Sequence, residues 1–350
     1  MIKIKCSFYD FSDNEKLNEF LTKNAINQQN YLIKDIYKYK QLFEYKYIIC
    51  EEQGEILGVM PFVLYRNDLG NIIHSMPFLG YGGIASSCLD SACTDVFKFI
   101  IDFFMSFAKN ENVLLATICT TPFSDDYNIY KKVLKPEIEK ENFYQYLNLE
   151  EDIFGNMSSK FRGNLRRNKK KCESFGVSIS ESYSLDDLKY WYNNVYKKRL
   201  LETNCAIYPY EVFEVFATKF NKDKFKIVYA KIEEKIIGGG MFLNQGSSID
   251  NFMRVIDSDY FYTQAGSCID LWSVEYALNS GAKYYNWQSC DKIGSPIFKN
   301  KAYWGSKTDN HYYLTKIIGD LSEFVKIPLE VIKKEYAGIY VMPYEKFING

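Results

Sequence analysis

The densest group of residues that could bind a charged ligand lies between Ser158 and Val177. It holds seven of the chain's 43 Lys and Arg residues within twelve positions: Lys160, Arg162, Arg166, Arg167, Lys169, Lys170 and Lys171. Cations of this kind bind phosphate and carboxylate groups, and rows of them bind an RNA backbone. Charge runs are also common on solvated helix faces. The segment therefore fits either a solvated basic face or an anion site for a phosphorylated substrate, a nucleotide sugar or RNA.

The same segment carries the signals of one helix. Ser158 or Ser159 can cap the first free N–H groups, and Gly176 can adopt the left-handed conformation that ends a helix. Phe161, Leu165 and Cys172 recur at helical spacing, so this side can pack while the cations face outward. We expect a basic helix over residues 158–176.

A second candidate site lies near the end of the chain. Lys299 and Lys301 stand among Phe298, Tyr303 and Trp304. Aromatic rings beside cations can hold a base or sugar while a lysine binds a phosphate or carboxylate. Solvated lysines in a loop are the other interpretation.

Carboxylates that could act as a general base are Asp250, Asp257 and Asp270. We expect Asp270 on a helix and at the surface. Arg254 falls inside a predicted strand, where either a phosphate or carboxylate ligand or a cross-strand ion pair would explain it.

Two loops could approach a ligand with their backbone. Residues 75–87 contain Gly80, Gly82 and Gly83, with Tyr81 as a possible wall; a tight turn explains the glycines equally well. In the second half, a strand over 248–256 leads to a helix start near Thr263–Ser267, whose free N–H groups suit a pyrophosphate.

Composition limits the classes of function. A chain of 350 residues fits two domains, and a net charge of −1 gives no overall attraction to nucleic acid or membrane. Nine cysteines without a CxxC pair suit a reducing cytoplasm. Only two histidines, His74 and His311, occur, which argues against a His-rich metal site.

Several other signals are missing from the sequence. The first residues lack the apolar core of a signal peptide, and no apolar run of about 20 residues could span a membrane. There is no G-x-S-x-G motif, and no plausible Cys–His pair favours a covalent intermediate. We therefore expect a cytoplasmic protein without a metal site, in which any group transfer is direct.

The two halves of the chain resemble each other. Residues 45–65 and 225–243 both read as hairpins, and they align without a gap at a shift of 180 positions, with Gly58 on Gly238. A helix (92–109) and a strand (113–119) follow the first hairpin, and a helix (264–280) and a strand (283–290) follow the second. We expect two copies of one mixed α/β unit, residues 1–150 and 151–350, joined by the basic helix.

Four stretches carry a family likeness: SMPFLGYGG after the first hairpin, residues 146–177, ALNSGAKYYNWQS (277–289) and IFKNKAYWGS (297–306). Residues 146–177 look like the K-x-R-x-x-[IL]-R-[RK]-x-x-K-x-G-V crossover of Fem-type acyltransferases, and residues 297–306 look like their F-K-x-x-[FW]-G close. The chain thus resembles the Fem-like, tandem-domain acyltransferases of the GNAT superfamily. The resemblance implies two tandem GNAT-like domains, each a mixed central sheet flanked by helices.

The resemblance also implies site residues. Phe298 and Lys299 would match the family's F-K pair. From the chemistry of amide formation we expect Lys299 to stabilise charge and Asp250 to be a candidate base. Arg162 and Arg166 would match the crossover arginines. Further substrate-binding candidates are Tyr81, Gly82, Gly83, Arg254, Gln288 and Trp304. Gln264, Gly266 and Ser267 stand where GNAT enzymes have the coenzyme A loop [QR]-x-x-G-x-[GA], and they match it incompletely.

Three functions remain open. The first is N-acyl transfer from acyl-CoA or acyl-carrier protein, without a tightly bound cofactor, to a nucleotide-linked or lipid-linked amino sugar of the cell envelope. The second is Fem-like aminoacyl transfer from tRNA to a peptidoglycan precursor. The third is a non-catalytic domain that binds an envelope precursor. In both enzymatic hypotheses, residues 1–150 would bind the acceptor, and residues 151–350 would bind the donor and carry out the reaction.

Overall fold

A computed structural model describes residues 4–10, 14–28, 43–75, 81–88, 90–290 and 292–336. Gly80, in the predicted glycine-rich loop, lies outside the described residues. By compactness the chain forms two units, residues 1–142 with 310–350, and residues 143–309. The sequence-based division had placed everything after residue 150 in one domain.

The helices and strands up to residue 148 are, in chain order, β1 (Lys5–Phe8), α1 (Asn14–Asn24), β2 (Phe43–Glu52), β3 (Glu55–Tyr65), β4 (Asn71–His74), β5 (Ala85–Ser86), α2 (Asp90–Asn110), β6 (Val113–Cys119), α3 (Tyr127–Leu134) and β7 (Ile138–Asn148).

The remaining elements are α4 (Ile153–Asn156), α5 (Ser159–Ser174), β8 (Val177–Glu181), α6 (Leu185–Trp191), α7 (Lys197–Glu202), α8 (Tyr210–Lys219), β9 (Phe225–Ile232), β10 (Lys235–Asn244), β11 (Ser248–Ile256), α9 (Ala265–Asn279), β12 (Tyr284–Asn286), α10 (Pro296–Tyr303), β13 (Lys307–Ile317) and α11 (Leu329–Glu335). A π-helical turn joins α6 to α7, and a 3₁₀ turn over Ser258–Thr263 precedes α9.

Each unit builds its sheet in the same order. In the first unit the strands run β1-β2-β3-β4-β6-β13, and in the second they run β8-β9-β10-β11-β12-β7. The pairing is antiparallel except between β4 and β6 and between β11 and β12, which are the two places where a helix, α2 or α9, connects the strands. The predicted repeat of one mixed α/β unit is confirmed.

The repeat extends to a β-bulge. In the first hairpin Cys50 faces Gly58 while Glu51 faces Ile56, so Leu57 has no opposite residue. At a shift of 180 positions, Ala230 faces Gly238 while Lys231 faces Ile236. A bulge at the same step bends both hairpins in the same way. A shift of one residue in the pairing of the strands would move every side chain to the opposite face of the sheet, so both hairpin sequences specify the same register.

Each unit has its own apolar core. In the first, α2 covers the sheet with buried residues that include Phe97, Ile100 and Phe104. In the second, α9 packs on β10 and β11 through Ile269, Val274 and neighbouring apolar residues. Burial of such side chains is the main stabilising contribution to each unit.

The basic helix forms as predicted. Ser158 caps α5, its hydroxyl accepting from the N–H of Phe161, and Gly176 has a φ of 68° just beyond the end. Leu165 and Cys172 are buried and Phe161 is half-buried, which leaves most of the cations on the outer side.

Two local expectations are corrected. The predicted strand 283–290 is regular only over β12, because Gln288 takes a left-handed conformation that ends it. The lysines near residue 300 lie on a helix, α10, which Ser295 caps and Pro296 begins. Among the described residues, no helix combines the length and apolar character needed to cross a bilayer.

Candidate active site

Two neighbouring cavities lie in the second unit. The first, which we call the strand cavity, has a volume of about 440 Å³. It is lined by Asn251, Phe252, Met253, Arg254, Asp270, Trp287, Gln288, Ser289, Pro296, Ile297, Asn300 and Lys301. Apart from Asp270 of α9, the lining residues come from β11, from the turn after β12 and from α10, which meet where the parallel pair β11 and β12 ends.

The second, the helix cavity, has a volume of about 490 Å³. It is lined by Ser158, Lys160, Phe161, Asn164, Leu165, Asn168, Gln264, Ser267, Asp270, Asn300, Tyr303 and Trp304. Asp270 and Asn300 line both cavities, so the two adjoin. A site with two adjoining chambers suits a reaction between two substrates.

Lys301 is the lysine that faces the strand cavity. Its ammonium donates to the carbonyl oxygens of Gln288 and Ser289, each at 2.9 Å, and the side chain is buried. Burial lowers the pKa of Lys301 to about 8. An ammonium has three N–H donors, so a third remains for a ligand oxygen.

Lys299 lies elsewhere on α10. It is exposed and is not among the residues that line either cavity. Two residues along a helix turn a side chain by about 200°, so Lys299 and Lys301 face opposite sides. Lys301 also stands four positions before Gly305, and Trp304 comes directly before that glycine. This is the spacing of the K-x-x-[FW]-G motif. That spacing was the signal that could have identified it.

Asp270 and Arg254 form an ion pair at the junction of the cavities, with 2.7 Å between Oδ1 and Nε. The expectation that Asp270 lies at the surface is wrong: it is on α9 but only 4% exposed. Burial raises the pKa of the Asp270 carboxyl, and the charges of Arg254 and Lys301 oppose that rise. Arg254 is thus held by a carboxylate and also lines the strand cavity.

Gly266 makes room for this pair. A Cβ added at Gly266 would lie 2.7 Å from Nη1 of Arg254. Gln264 takes a left-handed conformation, with a φ of 66°, where the 3₁₀ turn ends and α9 begins. Ser267 accepts a hydrogen bond from Asn168 of α5 at 3.1 Å. Of the three residues predicted as a cofactor loop, Gln264 and Ser267 line the helix cavity and Gly266 leaves room for Arg254.

Asp250 and Asp257 have protein partners. Asp250 is 2% exposed, its carboxylate accepts hydrogen bonds from Ser248 and Gln245, and it lines neither cavity. Burial raises the pKa of Asp250 to about 6. Asp257 pairs with Lys198 at 2.6 Å.

The predicted crossover arginines have different surroundings. Arg162 donates to the carbonyl oxygens of Phe154, Gly155 and Met157 at 2.7–2.9 Å, which ties the end of α4 to α5. Arg166 is exposed on α5. Neither lines a cavity.

Of the two aromatic candidates Trp304 and Phe298, only Trp304 lines a cavity. Trp304 is buried, lines the helix cavity and packs against Phe161 with ring centroids 5.6 Å apart. Phe298 instead packs edge-on against Phe143, at 5.9 Å, outside both cavities.

Tyr81, Gly82 and Gly83 belong to the first unit and are buried there. The Tyr81 ring stands edge-on to His311 at 5.7 Å, and a Cβ at Gly83 would lie 2.5 Å from the Tyr130 hydroxyl. The described part of this loop is therefore packed into the first unit's core.

One Cys–His pair occurs among the described residues of the first unit. The Sγ atom of Cys119 lies 3.5 Å from Nδ1 of His311. Burial raises the pKa of the Cys119 thiol well above its usual value and lowers that of His311 to about 4. Both groups are neutral at pH 7, so the pair is not an activated nucleophile. Among the described residues, no three His, Cys, Asp or Glu side chains are grouped closely enough to hold a metal ion.

Comparison with known proteins gives similarity in structure only. No protein-family model and no curated protein matches the sequence. FemX superposes with a TM-score of 0.68 at 10% identity, over 92% of this chain and 99% of that one. A tandem GNAT protein from the clavulanic acid biosynthesis pathway gives 0.56 at 10% identity, over 91% and 99%.

A third similar structure is the C-terminal domain of a putative lysylphosphatidylglycerol synthetase from Agrobacterium fabrum. It gives a TM-score of 0.54 at 11% identity, over 86% of this chain and 90% of that one. The predicted fold is confirmed: the chain has the tandem GNAT fold found in FemX-like proteins.

Proposed function

We propose that the chain is an aminoacyltransferase that moves an aminoacyl group from tRNA to an amine of a peptidoglycan precursor. The observation that carries the proposal is the state of the cations on α5. Among the described residues, none of the seven forms an ion pair, whereas lysines of neighbouring elements do, such as Lys198 with Asp257 and Lys231 with Asp187. Exposed cations that no carboxylate neutralises can bind an RNA backbone.

The basic surface leads into the helix cavity. Lys160 lines the cavity, and the later cations of α5, from Arg166 to Lys171, are exposed beyond it. Phe161, Tyr303 and Trp304 form an aromatic wall in the same cavity. Unpaired RNA bases stack on such rings. A tRNA whose backbone follows α5 could thus place its 3′ end in the helix cavity and its ester beside the strand cavity.

The proposed reaction is direct attack. The amine nitrogen of the acceptor bonds to the ester carbonyl carbon, the C–O bond to the tRNA ribose breaks, and the amine's proton ends on the released ribose hydroxyl. Lys301 donates its free N–H to the carbonyl oxygen as that oxygen gains negative charge. The chain's role is to hold both substrates at the junction that Asp270 and Asn300 line.

The similar structures are consistent with the Fem-like proposal. FemX gives a TM-score of 0.68, and the name of the protein to which the third structure belongs refers to a lysyl group. The other donor class is acyl-CoA or acyl-carrier protein acting on an amino sugar, and the Gln264–Ser267 segment at the start of α9 would be its site.

The test compares the two donors directly. The purified protein is given tRNA charged with radiolabelled amino acids, or labelled acetyl-CoA, together with nucleotide-linked muropeptide or amino-sugar acceptors. We expect label on the muropeptide amine only from tRNA. Micromolar binding of acetyl-CoA with transfer to an amino sugar, and no transfer from tRNA, would overturn the proposal.

The role of α5 has its own readout. Filter binding of tRNA between about 50 and 200 mM salt should show a steep loss of affinity. The double variant Arg166→Gln/Lys170→Gln should reduce the slope of log K against log salt by about 2. Lys326→Gln/Lys333→Gln, which removes two exposed lysines of the first unit, should leave the slope unchanged.

A further inference from the structure

Gln288 has an unusual backbone conformation beside the strand cavity. Its φ is 62°, in the left-handed region that residues other than glycine rarely adopt. Such a conformation costs of order 1 kcal/mol or more and persists only where the surroundings hold it. Gln288 follows β12 directly after Trp287, so this turn decides where the next residues point.

The turn provides the acceptors for Lys301. Successive carbonyl groups of an extended strand point to opposite sides. Here the carbonyl oxygens of Gln288 and Ser289 both lie 2.9 Å from the Lys301 ammonium. Both carbonyl groups thus face one ammonium, which a regular strand would not allow, and they belong to the turn that begins at the left-handed Gln288. The position of Lys301 therefore depends on the turn.

A buried carboxylate holds the turn. Asp250, on β11, pairs in register with Asn286 of β12. The side chains of Asn286 and Gln288 both donate hydrogen bonds to its carboxylate, in addition to Ser248 at 2.8 Å and Gln245 at 3.3 Å. The Asn286 Oδ1 atom in turn accepts from the N–H of Gln288 at 2.9 Å. Four donors thus converge on Asp250, and two of them belong to the turn or the residue that leads into it.

We infer that Asp250 is a positioning residue, which acts on the reaction by holding the Gln288 turn and through it Lys301. This role replaces that of general base, since Asp250 is 2% exposed and lines neither cavity. The inference rests on the proposed function for its kinetic test but not for its structural one.

The kinetic test is a double-mutant cycle. Asp250→Asn keeps the shape and removes the carboxylate; we expect kcat to fall about tenfold with little change in the donor's KM. In a Lys301→Met background the same change should have no further effect, because the residue through which it acts is gone. If the two losses multiply, Asp250 acts independently of Lys301 and the inference is overturned.

Two further variants separate positioning from general damage. Gln288→Ala keeps Asp250 but removes its link to the turn, and it should reproduce the kcat loss of Asp250→Asn. Ser248→Ala removes a donor that belongs to β11 and not to the turn, and it should leave kcat within about twofold of wild type. Equal losses from Ser248→Ala and Gln288→Ala would show that the buried network matters only for folding.

If the protein turns over no donor, the proposed function is refuted, but the positioning role of Asp250 can still be tested by a measurement that needs no activity. In protein labelled on lysine, the Lys301 signal is assigned by its loss in Lys301→Arg and is titrated by NMR. We expect Asp250→Asn to move the pKa of Lys301 away from its value of about 8, while Asp257→Asn leaves it in place. An unchanged value in Asp250→Asn would overturn the positioning role.

Discussion

Arg254 and Asp270 form an ion pair in which Asp270 is buried and Arg254 is partly exposed at the edge of the strand cavity. Nε and Oδ1 are 2.7 Å apart, and the side chains are 33% and 5% exposed. The carboxylate has lost most of its hydration, so its ionised form depends on the guanidinium. Removal of Arg254 should therefore destabilise the folded protein, because it leaves a buried carboxylate without its cation.

Arg254→Met leaves Asp270 buried without its cation. We expect a loss of about 1–3 kcal/mol in the free energy of unfolding at pH 7, measured with urea. The loss should shrink toward pH 4, because a protonated Asp270 no longer needs a cation, and Arg254→Met/Asp270→Leu should recover most of it. Lys98→Met, which breaks an exposed pair with Asp102, is the control and should cost under about 1 kcal/mol.

Two glycines provide a matched pair of alanine substitutions. Gly266→Ala places a Cβ 2.7 Å from Nη1 of Arg254, so the guanidinium must move. Gly163→Ala, on α5, meets nothing within 4 Å. Both lie in helices, where alanine is favoured over glycine by roughly 1 kcal/mol.

We therefore expect Gly163→Ala to raise the melting temperature slightly and leave donor affinity unchanged. Gly266→Ala should weaken donor binding several-fold, because it displaces a residue that lines the strand cavity. Equal donor affinities of the two variants and wild type, measured by calorimetry or filter binding, would mean that Arg254 does not contribute to donor binding.

Features encoded by neighbouring residues were predictable from the sequence. The ends of α5 follow from Ser158 and Gly176, and both hairpins follow from apolar runs around a polar turn. The repeat was visible because the two hairpins have similar residues at matching positions, such as Gly58 in the first and Gly238 in the second, each next to its own bulge.

Features that depend on which side of an element faces inward were not predictable in the same way. Lys299 and Lys301 differ by two positions on one helix, and only the packing of α10 decides which is buried. Cys119 and His311 are far apart in sequence, and they meet because β6 pairs with β13. The burial of Asp270 likewise follows from the side of α9 that packs on the sheet.

Asp250 predicts a pH dependence of stability. Its pKa is raised to about 6 in the folded protein, against a usual value near 3.9. Between those values the folded state binds more protons than the unfolded state, so this group's contribution to stability is present below about pH 4 and is lost as pH rises through 6. The difference amounts to at most about 3 kcal/mol.

Asp250→Asn removes that dependence. The difference in unfolding free energy between wild type and Asp250→Asn should therefore be largest near pH 4 and decrease toward pH 7. Urea unfolding of both proteins across this range gives the comparison, and other titrating groups cancel in the difference. A difference that stays constant or grows with pH would show that the carboxylate is ionised throughout.

Lys301 and Lys299 offer the most direct test of the site. Both lie on α10, but only Lys301 lines the strand cavity. Removal of one donor to a developing oxyanion typically lowers kcat by about 10²–10³. Lys301→Met should show a loss of that size, and Lys299→Met, an equal change of charge on the exposed side, should retain nearly full turnover.

The pH profile adds a signature that a folding defect cannot produce. Lys301 must be protonated to donate, and its pKa is about 8. Turnover should therefore fall as pH rises through 8, whereas Lys301→Arg, which stays charged, should lose this descending limb even if its kcat is lower. A limb that persists unchanged in Lys301→Arg would assign the titration to another group, and a large loss in Lys299→Met would return the role to the lysine on the opposite side of α10.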